Sequence, residues 1–428
     1  MLSVSENGRY LTEDGRPFFW LGDTAWLMLY KLSPEEMRVY MRNRKEKGFN
    51  VLQVILWYMA EEESCPGEMP CGSRHAAYDE AFFQKADAAV KMAAEMGLYL
   101  ALVPAWGQLV KSGRLNEKNA AEYGAFLGRR YRGCENIIWV IGGDVRGDEA
   151  PAVFRLLAET LKKYDPQRLM TYHPFGRRSS SEWFHEEKWL DLNMFQSGHR
   201  RYDQEHLGEW DDNGEKTVYF GEDNFRYVQQ DLARSPAKPT LDAEPSYEEI
   251  VQGLHDDREP YWQAADVRRY AWWSVLAGAC GFTYGNNSII QFLREGEKGA
   301  YGAFRTWQEA LHCPGSAQMH VLKDLMESAD FTHGREREDL LLYGQKPGYH
   351  RVAVFAGEDY IICYNYTGDA WELNLSEYKN RIMEMYWIDP ENGGKSYAGE
   401  ICGREKLTVR PTRRLRGASD WVLLLKGR

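Results

Sequence analysis

The alternation of short apolar runs with helix-like stretches predicts a (β/α)8 barrel, an α/β fold of the TIM type, followed by a small antiparallel β-sandwich. Eight apolar runs of strand length are present, and seven are separated by helical or long connecting segments. Spread over roughly 300 residues, this rhythm suits parallel strands with right-handed crossovers, and it fits a closed barrel better than an open sheet. After about residue 335 the helical segments stop, and short apolar runs follow one another across turn signals such as Pro347-Gly348 and Asn392-Gly393-Gly394. The expected domains are therefore 1–334 and 335–428, the second a sandwich of about 90 residues.

Each element has a local reason. Asn7-Gly8 and Asp14-Gly15 tolerate positive φ and mark hairpin turns, so an N-terminal ribbon should border the barrel. Phe18–Leu21 reads as the first barrel strand, ending in Gly22-Asp23-Thr24. Ser33-Pro34-Glu35-Glu36 opens a helix, with Ser33 as cap, Pro34 in the first turn and Glu36 completing a capping box. Gly48 stops it. Strands follow at Val51–Leu56, Leu98–Val103, Ile137–Ile141, Leu169–Tyr172, Leu192–Phe195, Thr240–Ala243 and Ala279–Thr283. Helices are expected at Ala81–Met96, Ala120–Tyr131, Pro151–Tyr164, Phe225–Ala233 and Tyr261–Leu276, with closing helices at Thr306–Leu311 and Gln318–Ser328. The polar stretch from Trp57 to about Asp79 exceeds a plain connection and reads as a cleft wall. Seven short strands between Leu340 and Leu425 make up the sandwich.

Composition narrows the function classes. A balance of 53 basic against 64 acidic residues gives a net charge of −11, which argues against nucleic acid or an anionic membrane as partner. The seven cysteines are odd in number and contain no C-x-x-C pair, so neither a zinc nor a redox framework is expected, and no cofactor. The N-terminal residues lack a basic and then apolar leader, so the expected location is cytoplasmic unless a leader has been removed. Oligomeric state is not legible. Aromatic residues reach 14%, with 15 Trp and 26 Tyr. A large core accounts for part of this. The competing reading is that many of the rings line a sugar cleft, since amphipathic Trp and Tyr stack on the apolar faces of sugars.

Two strands end in carboxylates: Asn136–Asp144 (NIIWVIGGD) and Pro239–Tyr247 (PTLDAEPSY). Hydrolysis of a glycosidic bond needs a carboxylic acid on one side of the anomeric carbon and a carboxylate on the other. Asp144 and Glu244, at the ends of strands four and seven, are the candidates for proton donor and nucleophile. Gly142 and Gly143 let backbone and sugar approach, and Pro245 biases Glu244 towards extended geometry. Other strand-end residues are candidates for sugar contact: Asp23, equally readable as a turn cap; Trp57 and Trp106 as stacking platforms; His173 and His199; Gln196; and Tyr284 with Asn286 at the floor. Asp242 is expected to face away from Glu244, which requires a local twist because residues two apart share a face.

The motifs GDTAW (Gly22–Trp26), Val51–Leu56 with Gln53, VPAWG (Val103–Gly107), IIWVIGGD (Ile137–Asp144), His173-Pro174, FQSGH (Phe195–His199), TLDAEPSYE (Thr240–Glu248) and the run Gly281–Asn287 together cover the barrel. In this combination the chain resembles the apiosidase-like glycoside hydrolases (glycoside hydrolase family 140 and relatives carrying domain of unknown function 4038). Its tail resembles the small β domain, often labelled collagen-binding, that accompanies them. The resemblance implies a retaining double displacement with Asp144 as acid/base and Glu244 as nucleophile, Gln53 in the sugar site, and a carbohydrate substrate such as apiose or another terminal sugar on pectic side chains. Related barrels carry Asn-Glu after strand four; the shorter Asp144 after two glycines must sit closer or on a shifted backbone. Retention would place the carboxyls about 5–5.5 Å apart, inversion about 6.5–9.5 Å. The competing readings are a non-catalytic carbohydrate-binding barrel, and a metal-dependent barrel hydrolase, for which strand one lacks the usual His pair.

Overall fold

The computed structural model describes residues 1–58, 79–204, 221–411 and 420–428. The expected cleft wall after Trp57 lies, from residue 59 to 78, outside the described residues.

Eight strands form a nearly closed barrel: Trp20–Thr24, Val51–Ile55, Tyr99–Val103, Ile137–Gly142, Met170–His173, Asn193–Gln196, Thr240–Asp242 and Gly281–Tyr284. Strands one to five pair in parallel in sequence order, as do six to eight, and strand eight returns to strand one through Gly281↔Trp20 to Tyr284↔Asp23. Between strands five and six the contact is thinner. The Asp191 N–H donates to the Met170 carbonyl at 2.8 Å, and Thr171 Oγ1 donates to the Leu192 carbonyl at 2.8 Å. A short antiparallel strand, Arg178–Ser179, flanks strand six and makes the sheet mixed.

The strands are buried on both faces because each face has its own core. On strand two, Val51 and Ile55 belong to the inner cluster while Leu52 and Val54 join the outer layer against the helices. Tyr99, Ala101 and Val103 against Leu100 and Leu102 repeat the pattern on strand three. This period of two is what a strand between two apolar layers demands. The helix Pro34–Glu46 starts where the sequence says: Ser33 Oγ accepts from the Glu36 N–H at 3.2 Å, and the Glu36 carboxylate accepts from the Ser33 N–H at 2.8 Å. Arg294 also grips Glu36, at 2.8 and 2.6 Å, and pulls its carboxyl below the usual range. Ser33→Ala should cost about 1 kcal/mol, read as a shifted urea midpoint with an unchanged slope; no shift would show that Arg294 alone fixes this terminus.

At the start of the strands, the three-stranded ribbon Leu2–Val4, Leu11–Glu13 and Arg16–Phe18 closes the barrel. Tyr99 donates to Glu13 at 2.6 Å there, and Phe18 packs edge-on to the Tyr99 ring. The opposite, C-terminal end of the strands is left for the site.

The C-terminal part holds a six-stranded and a three-stranded antiparallel sheet. The strand Lys395–Ile401 is one the sequence reading does not contain. It is an exposed edge strand with almost no apolar alternation. Alternation in the larger sheet serves two cores. Ala353, Phe355, Ile362, Tyr364, Val422 and Leu424 pack on the barrel, whereas Val354, Ile361, Cys363, Leu423 and Leu425 fill the sandwich. Trp272 of the barrel stacks on Tyr364 with ring centroids 5.4 Å apart and planes 3° from parallel. Arg268 makes a two-pronged ion pair with Asp420, both contacts at 2.8 Å. One apolar cluster thus runs from the barrel into the larger C-terminal sheet. No described helix is long and apolar enough to cross a membrane.

Candidate active site

Strand four ends at Gly142, and the chain then makes a left-handed turn: φ is 88° at Gly142, 106° at Gly143 and 53° at Asp144. Side chains are excluded at the glycines. A Cβ on Gly142 would stand 2.5 Å from the His173 carbonyl oxygen, and one on Gly143 would stand 2.5 Å from the Trp106 ring. Flanking strand ends clamp the turn: Gly143 N–H donates to the His173 carbonyl and Gly107 N–H to the Gly143 carbonyl, both at 2.9 Å. Asp is among the few residues with a side chain that tolerate this region. Gly142 and Gly143 thus carry the left-handed turn that delivers Asp144 at the end of strand four.

Strand seven ends at Asp242, and the alternation breaks there. Leu241 and Ala243 face the inner core. Asp242 points outward, fully buried, accepting from Ser197 Oγ at 2.6 Å and Asn224 Nδ2 at 3.0 Å. Glu244 leaves the pattern as the chain curls over the mouth. From strand two, Gln53 donates Nε2 to the Ala243 carbonyl at 2.9 Å, and Gly198 N–H donates to the Glu244 carbonyl at 3.1 Å. Gln53 thereby ties strand two to the strand that carries Glu244, while its buried Oε1 has no protein partner.

Two histidines bracket the Glu244 carboxylate. His199 Nε2 lies 3.2 Å from Oε1, and His173 Nε2 lies 3.2 Å from Oε2. His173 Nδ1 faces the Pro174 carbonyl at 3.0 Å. The His173 ring is fixed by Trp26, edge-on at 5.3 Å, and by Trp106 at 5.8 Å; Tyr247 packs against His199 at 4.9 Å. Burial alone would raise the Glu244 carboxyl. The hydrogen bonds and charges of His173 and His199 outweigh it and bring the group down to about 2. Asp144 behaves oppositely: burial, then the Glu244 charge, push it up to about 6, against weaker opposition from His173, Lys111 and His199. Burial and their own neighbours thus drive the titration of these two carboxyls in opposite directions.

The remaining candidates divide. Trp106 is partly buried beside the Gly142–Asp144 turn and packs on Trp26 at 5.1 Å. Gln196 shares the inward face with Met194 and keeps a buried Oε1 without a protein partner. Asp23 is corrected: strand one runs on to Thr24, so Asp23 lies inside the strand, fully buried, bound to Arg44 and to the Tyr40 hydroxyl at 2.6 Å. Trp57 is also corrected, since it packs in the outer layer against Tyr123 at 5.3 Å. Tyr284 is buried and donates to Glu248, while Asn286 caps the helix Asn287–Ile290 through the Ser288 N–H at 2.9 Å. Neither presents its bonded atoms to a sugar. Trp26 and Tyr247, which stand inside the GDTAW and TLDAEPSYE motifs but are not among the sequence candidates, pack directly on His173 and His199. Among the described residues no group of three His, Cys, Asp or Glu side chains is gathered as metal ligands.

Comparison with known proteins gives the family. Residues 5–333 match the family described as "Apiosidase-like, catalytic domain", and residues 338–426 match the "Putative collagen-binding domain of a collagenase". A solved structure named as a glycoside hydrolase is 40% identical over 99% of this chain and 96% of its own, with a TM-score of 0.90. A glycoside hydrolase family 5 structure from Bacteroides vulgatus is 38% identical, covering 99% of this chain and 93% of its own, with a TM-score of 0.89. No curated protein sequence matched. On the family match across the barrel and these whole-chain likenesses, the protein belongs to the apiosidase-like glycoside hydrolases.

Proposed function

We propose that the protein is a retaining glycoside hydrolase that removes a terminal sugar, apiose or a related residue, from plant pectic or similar oligosaccharides, with Glu244 as nucleophile and Asp144 as acid/base. The observation that carries the chemistry is the arrangement at the strand ends: His173 and His199 each bring Nε2 to 3.2 Å from one Glu244 oxygen, which favours the ionised carboxylate, while burial and the Glu244 charge favour the protonated form of Asp144. In the first step a Glu244 oxygen attacks the anomeric carbon while Asp144 gives its proton to the leaving oxygen. In the second, Asp144 takes a proton from water as that water displaces Glu244 from the anomeric carbon. His173 and His199 keep Glu244 ionised and fix the direction of attack. The family match supports the choice of sugar.

Release of reducing sugar from aryl glycosides and pectic oligosaccharides tests the substrate. The pH profile tests the pair. Asp144 must be protonated, so kcat/KM should fall as pH rises through about 6, ten-fold per unit. Glu244 must be ionised, so the acid limb should lie near about 2, beyond most of the range in which the protein stays folded. A profile flat from pH 5 to 8 would remove Asp144 from the role of donor.

A further inference from the structure

The helix Ala264–Leu276 is covered on every side. All ten residues from Val267 to Leu276 are buried, whereas Pro34–Glu46, another helix of the barrel wall, buries only four. The extra cover comes from the β domain. Arg268 and Trp272, one turn apart, carry the ion pair with Asp420 and the stack on Tyr364. Nearer the helix start, Tyr366 donates to Asp266 at 3.2 Å. The buried Arg269 guanidinium lies over the Tyr349 and Tyr366 rings at 4.7 and 4.9 Å, and donates to Glu222 at 2.6 Å. Tyr349 donates to the other Glu222 oxygen at 3.0 Å, which also accepts from the Tyr202 N–H at 2.6 Å.

The same helix grips the strand ends that bear the chemistry. Tyr270 lies midway between Arg268 and Trp272 in the chain, so its side chain turns away from theirs. Its hydroxyl is 3.1 Å from Ser246 Oγ, and Ser246 donates to the Gly198 carbonyl at 2.9 Å. The Tyr270 carbonyl accepts from Asn224 at 2.9 Å, the amide that also donates to Asp242. Just ahead of the helix, the buried Trp262 donates Nε1 to the His199 carbonyl at 3.1 Å. These contacts end on the nucleophile: Gly198 N–H donates to the Glu244 carbonyl, and His199 Nε2 stands 3.2 Å from Glu244 Oε1.

We propose that the β domain positions the active site through this helix: Tyr349, Tyr364 and Tyr366 fix its outer side, and Trp262 and Tyr270 pass that setting to His199 and to the strand end that carries Glu244. This rests on the assignment of Glu244 as nucleophile. A double-mutant cycle on the full chain tests it. The outer changes are Tyr349→Phe with Tyr366→Phe, and separately Trp272→Leu; the inner change is Trp262→Phe with Tyr270→Phe. For each, kcat/KM on the best-cleaved aryl glycoside is measured well below Tm, with Glu244→Gln alongside. Outer and inner changes should each lower kcat/KM by about three-fold or more, and an outer change added to the inner pair should lower it by less than about two-fold further. A displaced His199 holds the Glu244 carboxylate less well, so the acid limb should climb from about 2 into the range where the protein stays folded. Should Trp272→Leu not fold, the outer phenylalanine pair decides alone. Outer variants within about two-fold of wild type would overturn the proposal, as would losses that multiply with those of the inner pair while the acid limb stays in place. An active Glu244→Gln enzyme would instead sink the nucleophile assignment, so the two failures are distinguishable.

Discussion

Glu244→Gln should lower turnover roughly ten-thousand-fold, the scale on which losing a covalent nucleophile is felt, with Tm almost unchanged. The amide is nearly isosteric and can still accept from His199, so the mouth keeps its shape, but it cannot form the glycosyl-enzyme. The substitution also removes the charge that helps raise Asp144. In the variant Asp144 should therefore titrate below its wild-type value of about 6, though burial, the larger cause, keeps it above an ordinary carboxylate. Carboxyl titration followed by NMR in the two proteins reads this directly. Asp144→Asn should behave differently: a loss of about 10²–10⁴-fold on poor leaving groups, and a much smaller one on a dinitrophenyl glycoside, whose leaving group needs no proton. Equal losses on both would mean that Asp144 is not the donor.

Asp23→Ala should destabilise the fold by about 3–5 kcal/mol, because it leaves a buried guanidinium without its counter-charge. Arg44 and Asp23 are both fully buried and paired. Tyr40 donates to the same carboxylate at 2.6 Å, and the Arg44 guanidinium lies over the Tyr40 and Phe49 rings at 5.2 and 5.7 Å. Strand one is thereby pinned to the helix Pro34–Glu46 behind it. Equilibrium urea unfolding should show the loss as a lower midpoint, with kcat of the folded fraction close to wild type. A stable variant with a ten-fold higher KM would reverse this reading and return Asp23 to the sugar site.

How far the sequence reaches can be judged from individual residues. Helix starts were legible where a cap is written in one place: Ser33, Pro34 and Glu36 form the capping box the sequence implies, and Pro151 opens Pro151–Tyr164 as expected. Barrel strands were legible because burial on both faces leaves unbroken apolar runs. The strand Lys395–Ile401 was not, since an edge exposed on both faces has no apolar rhythm to read. Asp23 misled because strand one extends three residues beyond its apolar part, and a charged residue inside a strand becomes visible only through its partner Arg44, 21 positions away. Trp57 misled because a strand end offers two directions, and only the structure shows that its ring turns to the outer layer. Gly142 and Gly143 were read as room for a sugar; they also serve a left-handed turn pressed against Trp106 and His173.

Glu244 either forms a bond to sugar or it does not, and an activated 2-deoxy-2-fluoro glycoside of the cleaved sugar can decide. Incubation, digestion and mass spectrometry of the peptides should find one sugar attached to the fragment carrying Glu244, with activity lost in step and no labelling of Glu244→Gln. Attachment to a different carboxylate, or full inactivation without any covalent adduct, would contradict the nucleophile named here.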